Sequence, residues 1–136
     1  MSPEENMALI VRIIDLINAR RLDEAVELYD PDYINHGPGG QELQGRDGIR
    51  GLWNLFLQAF PDMTISVDEA ICQGNNVALR WLLTGSHRGE FLGIPATNKS
   101  VTLRGLEMFQ IDSGKLREAW DQYDRLHLLE QIGAAP

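Results

Sequence analysis

Only one cysteine, Cys72, occurs in the chain, so an internal disulfide is excluded and the fold has to be held by its core. Long apolar runs are also missing. No stretch of about 18 apolar residues offers a membrane span, and MSPEENMALIVRIIDLINARR has acids ahead of its apolar part and no small-residue cleavage site, which predicts no signal peptide. Positive charge is scarce: 12 Lys and Arg stand against 20 Asp and Glu, for a net charge of −8. With no basic stripe to reverse that locally, a phosphate backbone is repelled and no nucleic acid partner is expected. Metal-ligating patterns are absent too, since the three histidines are scattered and neither His-x-x-x-His nor Cys-x-x-Cys occurs. No Gly-x-Ser-x-Gly motif is present, Cys72 has no adjacent base, and GPGG lacks the lysine of a phosphate loop. These absences predict a soluble cytoplasmic protein, one domain over residues 1–136, with a small uncharged ligand left open. A chain of this length buries roughly two-thirds of its unfolded surface, enough for a core without staples.

What is present divides into a helical first half and a strand-rich second half. Met7, Ile10, Ile13, Ile14 and Ile17 share one face of a helix over about residues 3–19. Leu22, Val26 and Tyr29 continue at helical spacing until Pro31, after which INHGPGG reads as an exposed loop. Ile49, Leu52, Trp53, Phe56 and Phe60 form a third helical stripe, stopped by Pro61. Beyond it, Met63–Cys72, Asn76–Ser86, Ser100–Ile111 and Lys115–Tyr123 read as four strands broken by turn residues. Helices grouped ahead of antiparallel strands predict an α+β fold, with the helices covering one face of a curved sheet.

The last hairpin carries the chemistry most worth weighing. A three-residue loop, Asp112–Ser113–Gly114, sets Ile111 opposite Lys115, Glu107 opposite Ala119 and Gly105 opposite Asp121. Glu107 and Asp121 then become diagonal neighbours on one face, about 7 Å apart, and Glu107 shares the apolar parity of Val101, Leu103, Phe109 and Ile111. Desolvation and a neighbouring carboxylate both disfavour ionisation, which gives such a pair a proton to transfer near neutral pH. An acid on a strand is more often salt-bridged, here to Arg104, Arg117 or Arg80, and a two-residue loop puts the two acids on opposite faces. Asp124 reads as a strand end or helix cap.

His36 and His87 have the ring pKa suited to proton transfer, although each alone is more often structural: His36 follows the second helix, and His87 ends a strand. His127 falls on a C-terminal helical turn without an evident partner. Trp53, Trp81 and Trp120 read first as core aromatics, with Trp81 and Trp120 as candidate walls for a flat ligand.

Three strings resemble one known family. They are LDEAVELYDPDYINH, FLQAFPDMTISVDEAICQGNNVALRWLLTGSHRGEFLGIPATNKSV and GLEMFQIDSGKLREAWDQYDRLHLLEQIG, and they cover nearly the whole chain. The aromatic-Pro-Asp turn, the Gly-x-His-x-Gly with Phe-Leu-Gly-Ile-Pro after it, and the terminal Gln-Ile-Gly resemble the SnoaL-like polyketide cyclases of the nuclear transport factor 2-like superfamily, in the same order. That resemblance implies a cone-shaped curved antiparallel sheet wrapped by about three N-terminal helices, enclosing an apolar pocket. It also implies that Asp121 is the general acid or base of an intramolecular aldol condensation, with no metal and no organic cofactor. Glu107 stands where characterised cyclases of the family carry a His, which keeps a proton-transfer group but changes the pocket's charge.

The combined expectation is a cofactor-independent lyase or isomerase acting on a small apolar or aromatic carbonyl compound. Asp121 and Glu107 are its catalytic groups, and His36, His87, Trp81 and Trp120 its substrate contacts. Hydrolysis or dehydration through the same acids, and a noncatalytic ligand-binding module, are the alternatives. Both faces of the sheet are apolar, through Leu79, Trp81 and Leu83 on one parity and Ala78, Leu82, Leu106 and Met108 on the other, so a homodimer is expected.

Overall fold

Ser2 opens the first helix, α1 (Pro3–Asn18), through a reciprocal cap: its hydroxyl accepts from Glu5 N at 3.1 Å while its own N–H donates to Glu5 Oε1 at 3.2 Å. The computed structural model describes residues 1–134. Ile10, Ile13 and Ile17 form the buried stripe of α1, as their spacing requires. Its C-terminus is fastened to the sheet by Asn18, whose side chain donates to Ile65 O at 2.8 Å and accepts from Ile65 N at 2.9 Å. A short α2 (Leu22–Val26) follows, and then the chain departs from the helical expectation.

Tyr29 does not continue α2. It begins a strand, β1 (Tyr29–His36), and after a 3-10 turn at Pro38–Gly40 a three-residue β2 (Glu42–Gln44) pairs with it antiparallel. Strand β1 therefore runs from the end of the expected helix into the expected loop, and β2 follows that loop where no strand was expected. Pro31 conceals the first of them, because a proline in a strand falls at an irregularity. The pairing of β1 does shift register between Tyr29 and Ile34. Helix α3 (Gly45–Ala59) ends at Phe60, and β3 (Thr64–Gln73), β4 (Asn76–Ser86), β5 (Ser100–Asp112) and β6 (Lys115–Tyr123) follow as expected. A last helix, α4 (Arg125–Gln131), is capped by Asp124, whose carboxylate accepts from His127 N at 2.9 Å.

The six strands form one curved, unclosed sheet in the order β2-β1-β6-β5-β4-β3. All neighbours are antiparallel except β1 and β6, which run parallel. Helix α1 packs over β3 and β4, and α3 packs over β1, so the concave face and the helices enclose the core. No helix among the described residues is long and apolar enough to cross a membrane.

The register of the last hairpin corrects the sequence expectation. Its loop has two residues, Ser113 and Gly114, both at positive φ (50° and 75°), and Asp112 pairs with Lys115. Such a loop alone would separate Glu107 and Asp121 onto opposite faces. A bulge at Arg117 restores their shared face: Ile111 pairs with Leu116 but Gln110 pairs with Glu118. Beyond the bulge Glu107 lies directly opposite Asp121, not diagonal to it.

Candidate active site

Strands β4, β5 and β6 bring Leu79, Glu107 and Asp121 into one transverse row on the concave face. Directly opposed residues hold their β-carbons about 5 Å apart, so the two carboxyls share one site. Asp121 is 8% exposed. Glu107 is half-buried as a residue, while its carboxyl is enclosed by protein. One step along the sheet, Trp81 pairs with Gly105, and the indole lies against the glycine backbone: a β-carbon at Gly105 would stand 2.2 Å from the ring. Glycine at this position makes room for the tryptophan.

None of the arginines considered from sequence reaches the acids. Arg80 pairs with Glu69 at 3.8 Å, Arg117 pairs with Asp30 at 3.4 Å, and Arg104 is exposed on the outer parity. Among the described residues no cation pairs with either acid, and both acids are harder to ionise than usual. Burial, and then the Asp121 charge, hold the Glu107 carboxyl well above the carboxylate range. Burial lifts Asp121 to about 7, opposed by the neighbouring Trp81 indole. Even so, Trp81 Nε1 and Asp121 Oδ1 each lack a partner with hydrogen-bond geometry. At neutral pH the two acids together hold at least one proton.

These groups stand in the wall of a cavity of about 70 Å³, enclosed otherwise by Ile10, Ile13 and Ile17 of α1, Phe56 of α3 and Phe109 of β5. Four polar residues that the sequence reading did not select also line it: Tyr29, Tyr33, Asn35 and Tyr123. Asn35 Nδ2 donates to the Tyr33 hydroxyl at 2.9 Å, and Trp53 Nε1 donates to the Tyr29 hydroxyl at 3.2 Å. Burial and the Asp121 charge raise Tyr123 to about 12. The signal for Tyr33 and Asn35 was their alternation in YDPDYINH, obscured by Pro31 and by the helical reading of Tyr29.

Of the six residues singled out from sequence, the structure brings Asp121, Glu107 and Trp81 together. The others lie elsewhere. His36 is stacked on Trp120 with ring centroids 5.4 Å apart and its Nε2 is 2.6 Å from Glu118 Oε2, on the outer side of the sheet. Trp120 is 41% exposed there. His87 is fully buried, with Nδ1 2.9 Å from the Thr97 hydroxyl, and it fastens the connection between β4 and β5. That connection is tied to the end of α3 by Arg88 N, which donates to Ala59 O at 3.0 Å. Among the described residues no three His, Cys, Asp or Glu side chains gather as a metal-ligating group.

The family model for SnoaL-like polyketide cyclases matches residues 8–132. The chain belongs to the SnoaL-like polyketide cyclase family. Aklanonic acid methyl ester cyclase from Streptomyces sp. (strain C5) is 26% identical over 137 residues, covering 98% of this chain and 83% of that protein. The corresponding cyclase from Streptomyces peucetius is 26% identical over 129 residues, covering 92% of this chain and 88% of its own. Among solved structures, AclR of Streptomyces galilaeus, a candidate hydroxylase, superposes with a TM-score of 0.89 at 28% identity, over 99% of this chain and 89% of that one. IdmH of Streptomyces antibioticus, a candidate polyketide cyclase, superposes with a TM-score of 0.81 at 30% identity, over 98% of this chain and 99% of that one. The SnoaL-like assignment accounts for the curved sheet, the N-terminal helices and the enclosed apolar site together.

Proposed function

We propose that this chain catalyses a cofactor-independent, aldol-like ring closure on a small, largely apolar carbonyl compound. Asp121 serves as the base and Glu107 as the proton donor. The observation that carries this reading is the direct opposition of two enclosed carboxyls in an apolar cavity without a neutralising cation. The Asp121 carboxylate removes a proton from the carbon beside one carbonyl, and the enolate carbon forms a bond to a second carbonyl carbon of the same molecule. The new alkoxide takes the Glu107 proton. The proton gained by Asp121 then restores Glu107, so the product is an isomer of the substrate and the pair is unchanged. A base with a pKa of about 7 is matched to this task at neutral pH.

The names of the curated relatives suggest polyketide methyl esters as the first compounds to assay. The cavity of about 70 Å³ is well below the usual 300–1,000 Å³ of ligand sites, so a polycyclic substrate requires the cavity to widen. Screening by thermal stabilisation finds the ligand, because a compound at 100 times its Kd adds about 2.7 kcal/mol. With the ligand in hand, the mass of the product tests the reaction: a mass equal to that of the substrate supports ring closure, and the gain of one water, as in hydrolysis, or its loss, as in dehydration, contradicts it.

The outer face supports a second copy as partner. Ile71, Leu106, Met108 and Trp120 are exposed there beside Glu69 and Arg80, so the same patch on another chain offers both apolar surface and opposite charge.

A further inference from the structure

The Tyr29 phenol has a proton with nowhere to go. Tyr29 is 3% exposed at the start of β1, and its oxygen accepts a hydrogen bond from Trp53 Nε1 at 3.2 Å. An indole N–H can only donate, so the phenol is the acceptor of that bond and its own O–H must point elsewhere. Among the described residues no side chain or carbonyl accepts it. A buried donor left without an acceptor costs about 1–3 kcal/mol, and in a cavity wall such a group is free to donate to a molecule that enters the cavity. Tyr33 packs edge-on against Tyr29 with ring centroids 4.8 Å apart, and its hydroxyl accepts from Asn35 Nδ2 at 2.9 Å, so its O–H is also left to donate beside that of Tyr29. Burial chiefly, with the Glu107 and Asp121 charges adding to it, keeps the Tyr29 phenol protonated far above neutrality.

We propose that the Tyr29 hydroxyl donates a hydrogen bond to the carbonyl oxygen of the ligand, and that Trp53 is the positioning residue that turns this hydroxyl toward the cavity. The assignment rests on the carbonyl-compound reading above and deepens it by fixing which oxygen is held and by what. It also fixes the chemical class of the held group. Among the described residues no Lys, Arg or His lines the cavity, so it offers a carboxylate or phosphate no counter-charge, and any ionisation of the acid pair repels such a group. A neutral ketone, which only accepts, matches a phenol whose oxygen already accepts from Trp53 and whose O–H is left to donate. As charge develops on the oxygen during enolate formation, a preorganised donor of this kind gains strength.

The test uses two small unreactive probes of matched shape, cyclopentanone and methylenecyclopentane, which differ by a carbonyl oxygen in place of a methylene. Binding of each is followed by tryptophan fluorescence, and the carbonyl stretch of bound cyclopentanone is read by infrared difference spectroscopy. The readout is the ratio of the two Kd values compared between proteins, because hydration of the free ketone is common to all of them. In Tyr29→Phe, which keeps the ring packing, the preference for the ketone falls about fivefold, the worth of one neutral hydrogen bond, and the carbonyl band moves to higher wavenumber. Trp53→Phe leaves the phenol in place but unoriented, and it gives a smaller change in the same direction. A ratio and a band unchanged in Tyr29→Phe overturn the proposal, as does a wild-type protein that binds no cyclopentanone at millimolar concentration. Neither probe can close a ring, so the result stands apart from turnover. Retained turnover in Asp121→Asn would overturn the cyclase reading while leaving a Tyr29 effect intact.

Discussion

On the inner face of β5 and β6, Glu107 and Asp121 oppose each other among Phe109, Ala119 and Trp81, whereas on the outer face of the same strands Leu106, Met108 and Trp120 meet solvent. The alternation of a strand makes one face the complement of the other, so this sheet spends interior positions on acids and exterior positions on apolar groups. Neither choice favours an isolated folded chain: enclosed acids cost desolvation, and exposed apolar groups gain nothing from water. The inner cost is intelligible if the acids do chemistry, and the outer one if a second copy covers the patch. The two explanations can be broken separately.

The largest expected effect is on the inner face. Asp121→Asn keeps the side-chain shape and removes the base, so turnover of an identified substrate falls by about 10³-fold, within the range for a lost general base. Trp120→Ala, on the outer face, leaves turnover within about twofold. Comparable losses from both substitutions would erase the distinction between the faces.

The pH dependence of stability sharpens it next. Asp121 rises from an ordinary 3.8 to about 7 on folding, so the folded chain binds protons more tightly than the unfolded one. That contribution is fully present below pH 4 and is lost as pH rises through 7, with Glu107 extending the loss to higher pH. Denaturant titrations across this window should show wild-type stability falling as pH rises, and Asp121→Asn should flatten the curve. A wild-type stability that climbs between pH 4 and 8 would contradict the buried pair.

A smaller effect is expected where the inner face is most tightly packed. Gly105→Ala sets a β-carbon against the Trp81 ring, and the forced repacking costs about 1–3 kcal/mol in chemical denaturation. The smallest effect on the fold belongs to the outer face. Leu106→Lys changes the stability of the isolated chain by no more than about 0.5 kcal/mol, yet light scattering at micromolar concentration should show the mass fall from twice 15.3 kDa to a single chain. A wild-type mass of 15.3 kDa throughout a dilution series refutes the dimer.

The sequence made the two faces legible wherever periodicity was unbroken. Helix α1, helix α3 and strands β3 to β6 fall where the apolar spacing sets them, and Asp124 caps a helix as its position suggested. The acid pair was legible for a partly mistaken reason: the loop is one residue shorter than expected, and the bulge at Arg117 returns the step that the loop removes. Two irregularities cancel, and no local residue pattern announces the second. Strand β1 was hidden because Tyr29, Pro31 and Tyr33 combine a helical spacing with a proline, and its place depends on parallel pairing with β6, nearly ninety residues away. With β1 hidden, the polar lining supplied by Tyr29, Tyr33 and Asn35 was hidden as well. His36 was misplaced for the same reason, since a strand end beside Trp120 carries it to the outer face.

The central claim is that Glu107 and Asp121 share a proton inside the cavity at neutral pH, and carbon-13 NMR of the labelled carboxyls tests it directly. Two carboxyl resonances should stay protonated well past pH 5, one titrating near 7 and the other above it. In Asp121→Asn the remaining Glu107 resonance should titrate lower than in the pair, because the neighbouring charge is gone. If every Asp and Glu carboxyl of the wild-type protein instead titrated near 4, the pair would be ionised at neutral pH and the proposed acid–base chemistry would lose its proton donor.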